Sequence, residues 1–347
     1  MSSYSALDKL LHRLALGSSA IAELSFDLDQ RQLRSDPAAI RNRQHVFVVG
    51  LARAGTTILM RNLYATGAFR SLTYRDMPFV LAPNLWRKFN RPRAGDTTAS
   101  ERAHGDRILV SADSPESLDE VFWRVFSGDT YLSRAGLRPH EPGPDVLEKY
   151  VAYVAAILQA DEAPKDRYLS KNNNNILRLP ALRRAFPNAL ILIPFRDPQS
   201  HAMSLLRQHH HFLALQAEDR FVRAYMTWLG HHEFGQDHRP FQFDGTSQPA
   251  ADPGTIDYWL QLWTAAYSWL EKTAPTDAVF VCYEDLCSRA DVWKTLAGRA
   301  GLDSDEAEAE TFKISTAKTA GDADPALSAK AAALYDRLAA RTRAVTG

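Results

Sequence analysis

Residues 45 to 59, His45-Val-Phe-Val-Val-Gly-Leu-Ala-Arg-Ala-Gly-Thr-Thr-Ile-Leu59, constrain the fold of this chain more than any other stretch. Val46 to Val49 are consecutive apolar, mostly β-branched residues, the pattern of a strand covered on both faces. Gly50 and Gly55 bracket a short loop, and Thr56 and Thr57 open a segment with helical spacing, Ile58 to Leu63. A strand, a glycine turn and a helix start aim free backbone N–H groups and the positive end of a helix dipole at one spot. That arrangement suits a phosphate or a sulfate.

The loop nearly matches the nucleoside-triphosphate pattern G-x-x-x-x-G-K-[ST]. Gly50, Gly55 and Thr57 fit, but Thr56 stands where the lysine that reaches the β- and γ-phosphates belongs. Its loss counts against γ-phosphoryl chemistry. The cation sits inside the loop instead, at Arg53. A second strand–turn–helix follows at residues 189 to 204. Its strand runs from Leu190 to Phe195, and Pro198 fits a first helical turn, where a missing N–H costs nothing. A strand-end arginine, Arg196, can grip a terminal phosphate in bidentate fashion, and Ser204, two turns into the helix, adds a neutral donor.

Together these segments resemble the sulfotransferases that use 3′-phosphoadenosine 5′-phosphosulfate (PAPS). The first loop is similar to that family's P-[KR]-[SA]-G-T-T, with Ala52 in place of the proline. The resemblance assigns Arg53, Ala54, Gly55, Thr56 and Thr57 to the 5′-phosphosulfate. The second segment is similar to R-[DN]-P-x-x-x-x-x-S and assigns Arg196 and Ser204 to the 3′-phosphate. Phe186-Pro-Asn-Ala189 matches the approach to that motif in related bacterial enzymes, and Val279 to Leu286 ends in the family's Y-E-D-L. The C-terminal R-K-G-x-x-G-x-W-K loop of the cytosolic enzymes is absent, and residues 312 to 321 occupy its region. That departure points to a bacterial-type or carbohydrate-type branch. The resemblance implies sulfuryl transfer from PAPS, as co-substrate, to a hydroxyl or amine of a carbohydrate, lipid or small metabolite. A P-loop-type kinase and a catalytically inactive nucleotide-binding protein remain alternatives.

Sulfuryl transfer needs positive charge at the leaving oxygen and a base near the acceptor. Arg53 is the first candidate cation. Lys171, which opens the run Lys171-Asn-Asn-Asn-Asn175, is the second. Those asparagines suit either sugar hydroxyls or local turns. Candidates for the base are His104, in a polar glycine-bounded loop, and Glu116 and Glu120 around the next helix. The histidines at 209–211, 231, 232 and 238 invite a metal reading, but consecutive helical histidines diverge and no H-E-x-x-H supports one, so no metal is expected.

Alternating strand and helix patterns predict an α/β fold with a P-loop-like, mostly parallel central sheet and helices on both faces. No repeat or linker divides residues 1–347, which read as one domain with a helical N-terminal extension over 1–40. Within it Leu7, Leu10, Leu11, Leu14 and Leu16 form a stripe suited to packing on the domain or on a second subunit of a homodimer. Helices are also expected at 115–126 with Ser114 as cap, 146–159, 216–230, 256–272, 289–301 and 326–343. Trp259, Trp263, Tyr267 and Leu270 should line a core face. The formal charge is +0, which leaves no global basic field for nucleic acid. No apolar run is long enough to span a bilayer, no signal peptide is recognisable and there are only 2 cysteines, which together suggest a cytoplasmic protein.

Overall fold

A computed structural model describes residues 5–90, 100–101, 109–110, 112–161, 165–245, 249–302, 312 and 323–346. The chain begins with helices α1 (Ala6–Gly17), α2 (Ser19–Gln30) and α3 (Pro37–Arg41), then enters strand β1 (Val46–Val48) and helix α4 (Thr56–Ala65). Helix α5 (Pro83–Phe89) precedes a short antiparallel ribbon of β2 (Ser100–Glu101) and β3 (Leu109–Val110). Helices α6 (Glu120–Tyr131) and α7 (Pro144–Gln159) lead to β4 (Leu169–Lys171), α8 (Leu179–Ala185) and β5 (Leu190–Phe195). After β5 come α9 (Pro198–Glu218), α10 (Arg220–Trp228) and α11 (Ile256–Thr273), then β6 (Val279–Cys282), α12 (Tyr283–Ser288), α13 (Ala290–Arg299) and α14 (Pro325–Thr346).

The central sheet has 4 strands in the order β4-β1-β5-β6, and every pairing is parallel. Val46 lies opposite Leu169 on one side and Leu190 on the other, and Phe195 lies opposite Cys282. Because strand side chains alternate, the sheet feeds two separate cores. Phe47, Ile191, Ile193 and Phe280 pack with α7, α11 and α14. Val46, Val48, Leu192 and Val281 pack with Leu59 and Leu63 of α4 and Trp293 and Leu296 of α13. Helices therefore cover both faces, which explains why β1 and β5 are continuous apolar runs. Trp259, Trp263, Tyr267 and Leu270 are fully buried, and the Tyr267 hydroxyl donates to the Pro194 carbonyl at 2.8 Å.

Several elements differ from expectation. The N-terminal segment is not one helix: Ser18 is extended and caps α2 by accepting from the Ile21 N–H. The helix expected at 115–126 starts at Glu120, because the residues before it are tied to a neighbouring segment: Pro115 bridges Thr73 and the Glu116 N–H donates to the Leu72 carbonyl. The helix expected at 216–230 is the end of α9 followed by α10, divided at Asp219, whose carboxylate accepts from the Phe221 N–H. The helix expected at 289–301 is present as α13, Ala290–Arg299, and a separate short helix, α12, ends before it at Ser288. Asn173–Leu177 form a 3-10 turn, which favours the turn reading of the asparagine run. Among the described residues no helix is long and apolar enough to cross a membrane.

Candidate active site

Each strand of the sheet ends at a residue singled out in the sequence. Gly50 follows β1, Lys171 ends β4, Arg196 follows β5 and Tyr283 follows β6. Carboxyl ends of parallel strands are where open α/β sheets collect ligands. Because β1 and β5 are neighbours, the two candidate phosphate segments emerge side by side.

The first loop is held in a shape that few sequences tolerate. Gly50 has φ +151°, and a Cβ there would lie 3.1 Å from the Pro194 carbonyl. Gly55 has φ +89°, and the ring of Tyr283 occupies the space a Cβ would need. Arg53 is the only positive-φ residue other than glycine among the described residues, at 69°. That conformation costs an ordinary side chain about 1–2 kcal/mol. Gly55 caps α4 without any side-chain bond, so the first N–H groups of that helix face outward.

The second segment docks directly on the first. The Arg53 Nε–H donates to Ser204 Oγ at 3.3 Å, joining the loop after β1 to α9 across the sheet end. His201, one turn before Ser204, is fully buried and hydrogen-bonds through Nε2 to the Ala52 carbonyl at 2.8 Å. Since a carbonyl only accepts, Nε2 carries the proton. Burial, with Arg196 and Arg53 nearby, pushes the imidazole pKa down to about 3, so it stays neutral. Arg196 is 9 % exposed, its Nε has no hydrogen-bond partner among the described residues, and its guanidinium lies 5.8 Å from the Tyr283 ring centre.

The Y-E-D-L segment fastens both. Tyr283 covers Gly55. Glu284 accepts from the Asp197 N–H at 3.0 Å through one oxygen and from the Tyr335 hydroxyl at 3.1 Å through the other. Asp197 in turn caps α9 by accepting from the Ser200 N–H at 2.8 Å.

Beside β1, the end of β4 carries a second polar group. Lys171 is buried in register with Val48. The Asn173 amide donates to Glu233 at 2.9 Å, and His231 lies 3.9 Å from the same carboxylate. Burial alone would raise the pKa of Glu233, but His231, Asn173 and Lys171 hold it below the ordinary value. His231 also bonds to the Ser117 carbonyl at 3.0 Å, which brings Glu116 into the neighbourhood. Glu116 accepts from the Tyr74 hydroxyl and from the Ser117 N–H, both at 2.9 Å.

Residues 45–240 match the sequence pattern of the sulfotransferase family. This chain belongs to the sulfotransferase family. The fold agrees: it is similar to the solved sulfotransferase STF1 of Mycobacterium tuberculosis H37Rv, with 18 % identity, 97 % of this chain and 87 % of that one covered, and a TM-score of 0.51. Sulfotransferase STF9 of Mycobacterium avium is similar at 16 % identity, with the same coverages and TM-score. No curated protein matches the sequence.

Within this sulfotransferase the expected site residues divide clearly. Arg53, Ala54, Gly55, Thr56, Thr57, Arg196 and Ser204 come together, and Lys171 lies one strand away. Glu120 is committed elsewhere: its carboxylate takes a two-pronged contact from Arg178 at 2.7 and 3.0 Å and further bonds from Tyr131 and Asn172. Burial would raise its pKa, yet Arg178 holds it low, so a fully enclosed ion pair replaces the role of base expected for Glu120. His104 lies outside the described residues. Two of the other histidines are packing groups: His209 accepts from the Gly235 N–H and His238 bonds to the Tyr258 hydroxyl, both against Trp259. Among the described residues no group of His, Cys, Asp or Glu converges as a metal set.

Sequence reading singled out the Y-E-D-L segment without a role for Tyr283 or Glu284, and it missed His201 and the His231–Glu233 pair. His201 was findable, because three residues before Ser204 on one helix means the same face. The pair had no local signal, since residues 229–238 follow no helical or strand period.

Proposed function

We propose that this sulfotransferase binds PAPS across the ends of β1 and β5 and transfers its sulfuryl group to a hydroxyl or amine of a carbohydrate, lipid or small metabolite. The Arg53–Ser204 contact is the observation that carries this reading, because it joins a phosphosulfate loop to a separate 3′-phosphate grip. In this reading the outward N–H groups of Thr56 and Thr57 and the Arg53 guanidinium hold the 5′-phosphosulfate. Arg196 and Ser204 hold the 3′-phosphate. The unpartnered Arg196 Nε and the missing side-chain cap at Gly55 both suit an anion.

The acceptor oxygen or nitrogen bonds to sulfur as the bond from sulfur to the 5′-phosphate oxygen breaks. The bonding pair leaves on the nucleotide product PAP (3′,5′-diphosphoadenosine), and the acceptor proton goes to a base. Arg53, backed by Lys171, stabilises the charge that develops on the leaving oxygen. His104 is the proposed base and Glu116 its rival.

Incubation with radiolabelled PAPS and fractionated acceptor extracts tests the activity. Label should pass to an acceptor fraction, and His104→Ala should abolish that transfer with PAP affinity kept within a few fold. Glu116→Ala should be milder. Label that stays on the nucleotide with every fraction contradicts transfer, and a dead Glu116→Ala enzyme beside an active His104→Ala enzyme reverses the base.

A further inference from the structure

The first loop turns on a single peptide. The Ala54 N–H donates to the Leu51 carbonyl at 3.4 Å, which closes a β-turn with Ala52 and Arg53 at its centre. The φ of 69° at Arg53 makes it the type II form. That form differs from the commoner type I by a flip of the peptide joining the two central residues. It favours glycine or asparagine at the third place, where this chain has Arg53. Ala52 also lacks the ring with which a proline presets the second place. The local sequence does not by itself hold this turn in the form it takes.

His201 supplies what the loop lacks. Its Nε2–H donates at 2.8 Å to the Ala52 carbonyl, which belongs to the peptide that a flip would turn. A flip swings that oxygen away and leaves the N–H unpaired in the core, since His201 is fully buried. The other ring nitrogen, Nδ1, has no hydrogen-bond partner among the described residues. An apolar side chain would occupy the space without that orphaned atom, so packing alone does not account for a histidine here. The ring has firm surroundings. It lies 6.4 Å from the Tyr267 ring, whose hydroxyl is fixed on the Pro194 carbonyl, and the start of its helix is tied to Glu284 through the Asp197 N–H. His201 and Ser204 share one face of α9, so one takes the backbone before Arg53 and the other takes its side chain.

We infer that His201 is a positioning residue, which pins the Ala52–Arg53 peptide in its flipped orientation and so aims the Arg53 guanidinium at the group being transferred. This role rests on the reading of Arg53 as the cation at the leaving oxygen. Without the His201 bond the turn relaxes towards type I and the guanidinium leaves its place, while the N–H groups of α4 and the Arg196 grip stay where they are.

Transfer from radiolabelled PAPS to an acceptor fraction that the wild type labels, measured beside calorimetry with PAP, tests it. His201→Leu fills the space but offers no N–H. It should lower transfer about tenfold or more while PAP affinity stays within about threefold. His201→Gln, whose amide N–H has a reach similar to that of Nε2, should restore most of the transfer. In an Arg53→Ala background His201→Leu should lower transfer no further, because the side chain it positions is gone. If His201→Leu does not fold, His201→Asn, whose amide stops short of Ala52, takes its place with the same expectations. Normal transfer by the Leu variant, even with a lower melting temperature, would overturn the role and leave the ring merely structural. A Gln variant as poor as the Leu variant, or an equal loss with and without the Arg53 side chain, would overturn it too. A wild type that labels no fraction is a different result, which overturns the proposed transfer and this role with it.

Discussion

At the residue scale the account turns on Arg53, which sits in a costly backbone conformation with its Nε–H on Ser204. Strain of that kind persists where the surrounding structure fixes it, here through the His201 bond to the adjacent Ala52 carbonyl. If the guanidinium acts mainly on the leaving oxygen, Arg53→Ala should lower turnover about 10²-fold or more while PAP affinity falls less. Arg53→Lys should retain part of the activity, since a lysine still brings the charge. Steady-state kinetics beside a PAP titration read both, and normal turnover in Arg53→Ala would move the role to Lys171. The shape of the first loop and the arginine at the end of β5 were legible because their signals are local: glycines where φ is positive and a polar residue closing an apolar strand. Glu120 was not, because its partner Arg178 is distant in sequence and a carboxylate at a helix start reads the same whether it faces a cleft or a buried guanidinium.

At the scale of elements, the strand ends place the site and the helices behind them hold it still. Strands β1, β5 and β6 were readable as apolar runs, since a parallel sheet covered on both faces leaves no polar alternation to confuse them. Helix boundaries were less so. Asp219 and Ser18 end one helix and cap the next, and a capping residue inside a continuous apolar pattern does not announce the break. The contact between α12 and the first loop gives a direct test. Gly55→Ala adds a methyl group at φ +89° where the Tyr283 ring already lies. It should destabilise the protein by about 2–3 kcal/mol, seen as a lower melting temperature, and should weaken PAP binding. Adding Tyr283→Ala removes the collision but not the backbone strain, so stability should recover only in part. A Gly55→Ala protein with wild-type melting and binding would mean that the loop is not held as described.

At the scale of the whole molecule, burial makes the fold sensitive to acid. Desolvation lowers His45 and His238 to about 4 and His140 and His201 to about 3. In the unfolded chain each takes up a proton near pH 6.5, so below that pH the unfolded state binds more protons than the native one. Stability is therefore full above pH 6.5 and is lost as pH falls towards 4 and then 3, at about 1.4 kcal/mol per group per pH unit. Asp119 works in the other direction: burial raises it to about 6, so below that pH the native state holds its proton more tightly and part of the loss is offset. Thermal melts should show a falling midpoint from pH 7 to pH 5, and a flat profile would contradict the burial of these histidines as neutral groups. The central claim concerns the pairing of two phosphate grips on adjacent strands, and calorimetry with PAP, ADP and ATP tests it most directly. PAP should bind more tightly than ADP or ATP, and Arg196→Ala should cost about 2–4 kcal/mol of PAP affinity while leaving ADP affinity nearly unchanged. Equal affinity for PAP and ADP in the wild type would contradict the 3′-phosphate assignment and with it the reading of this site as a PAPS site.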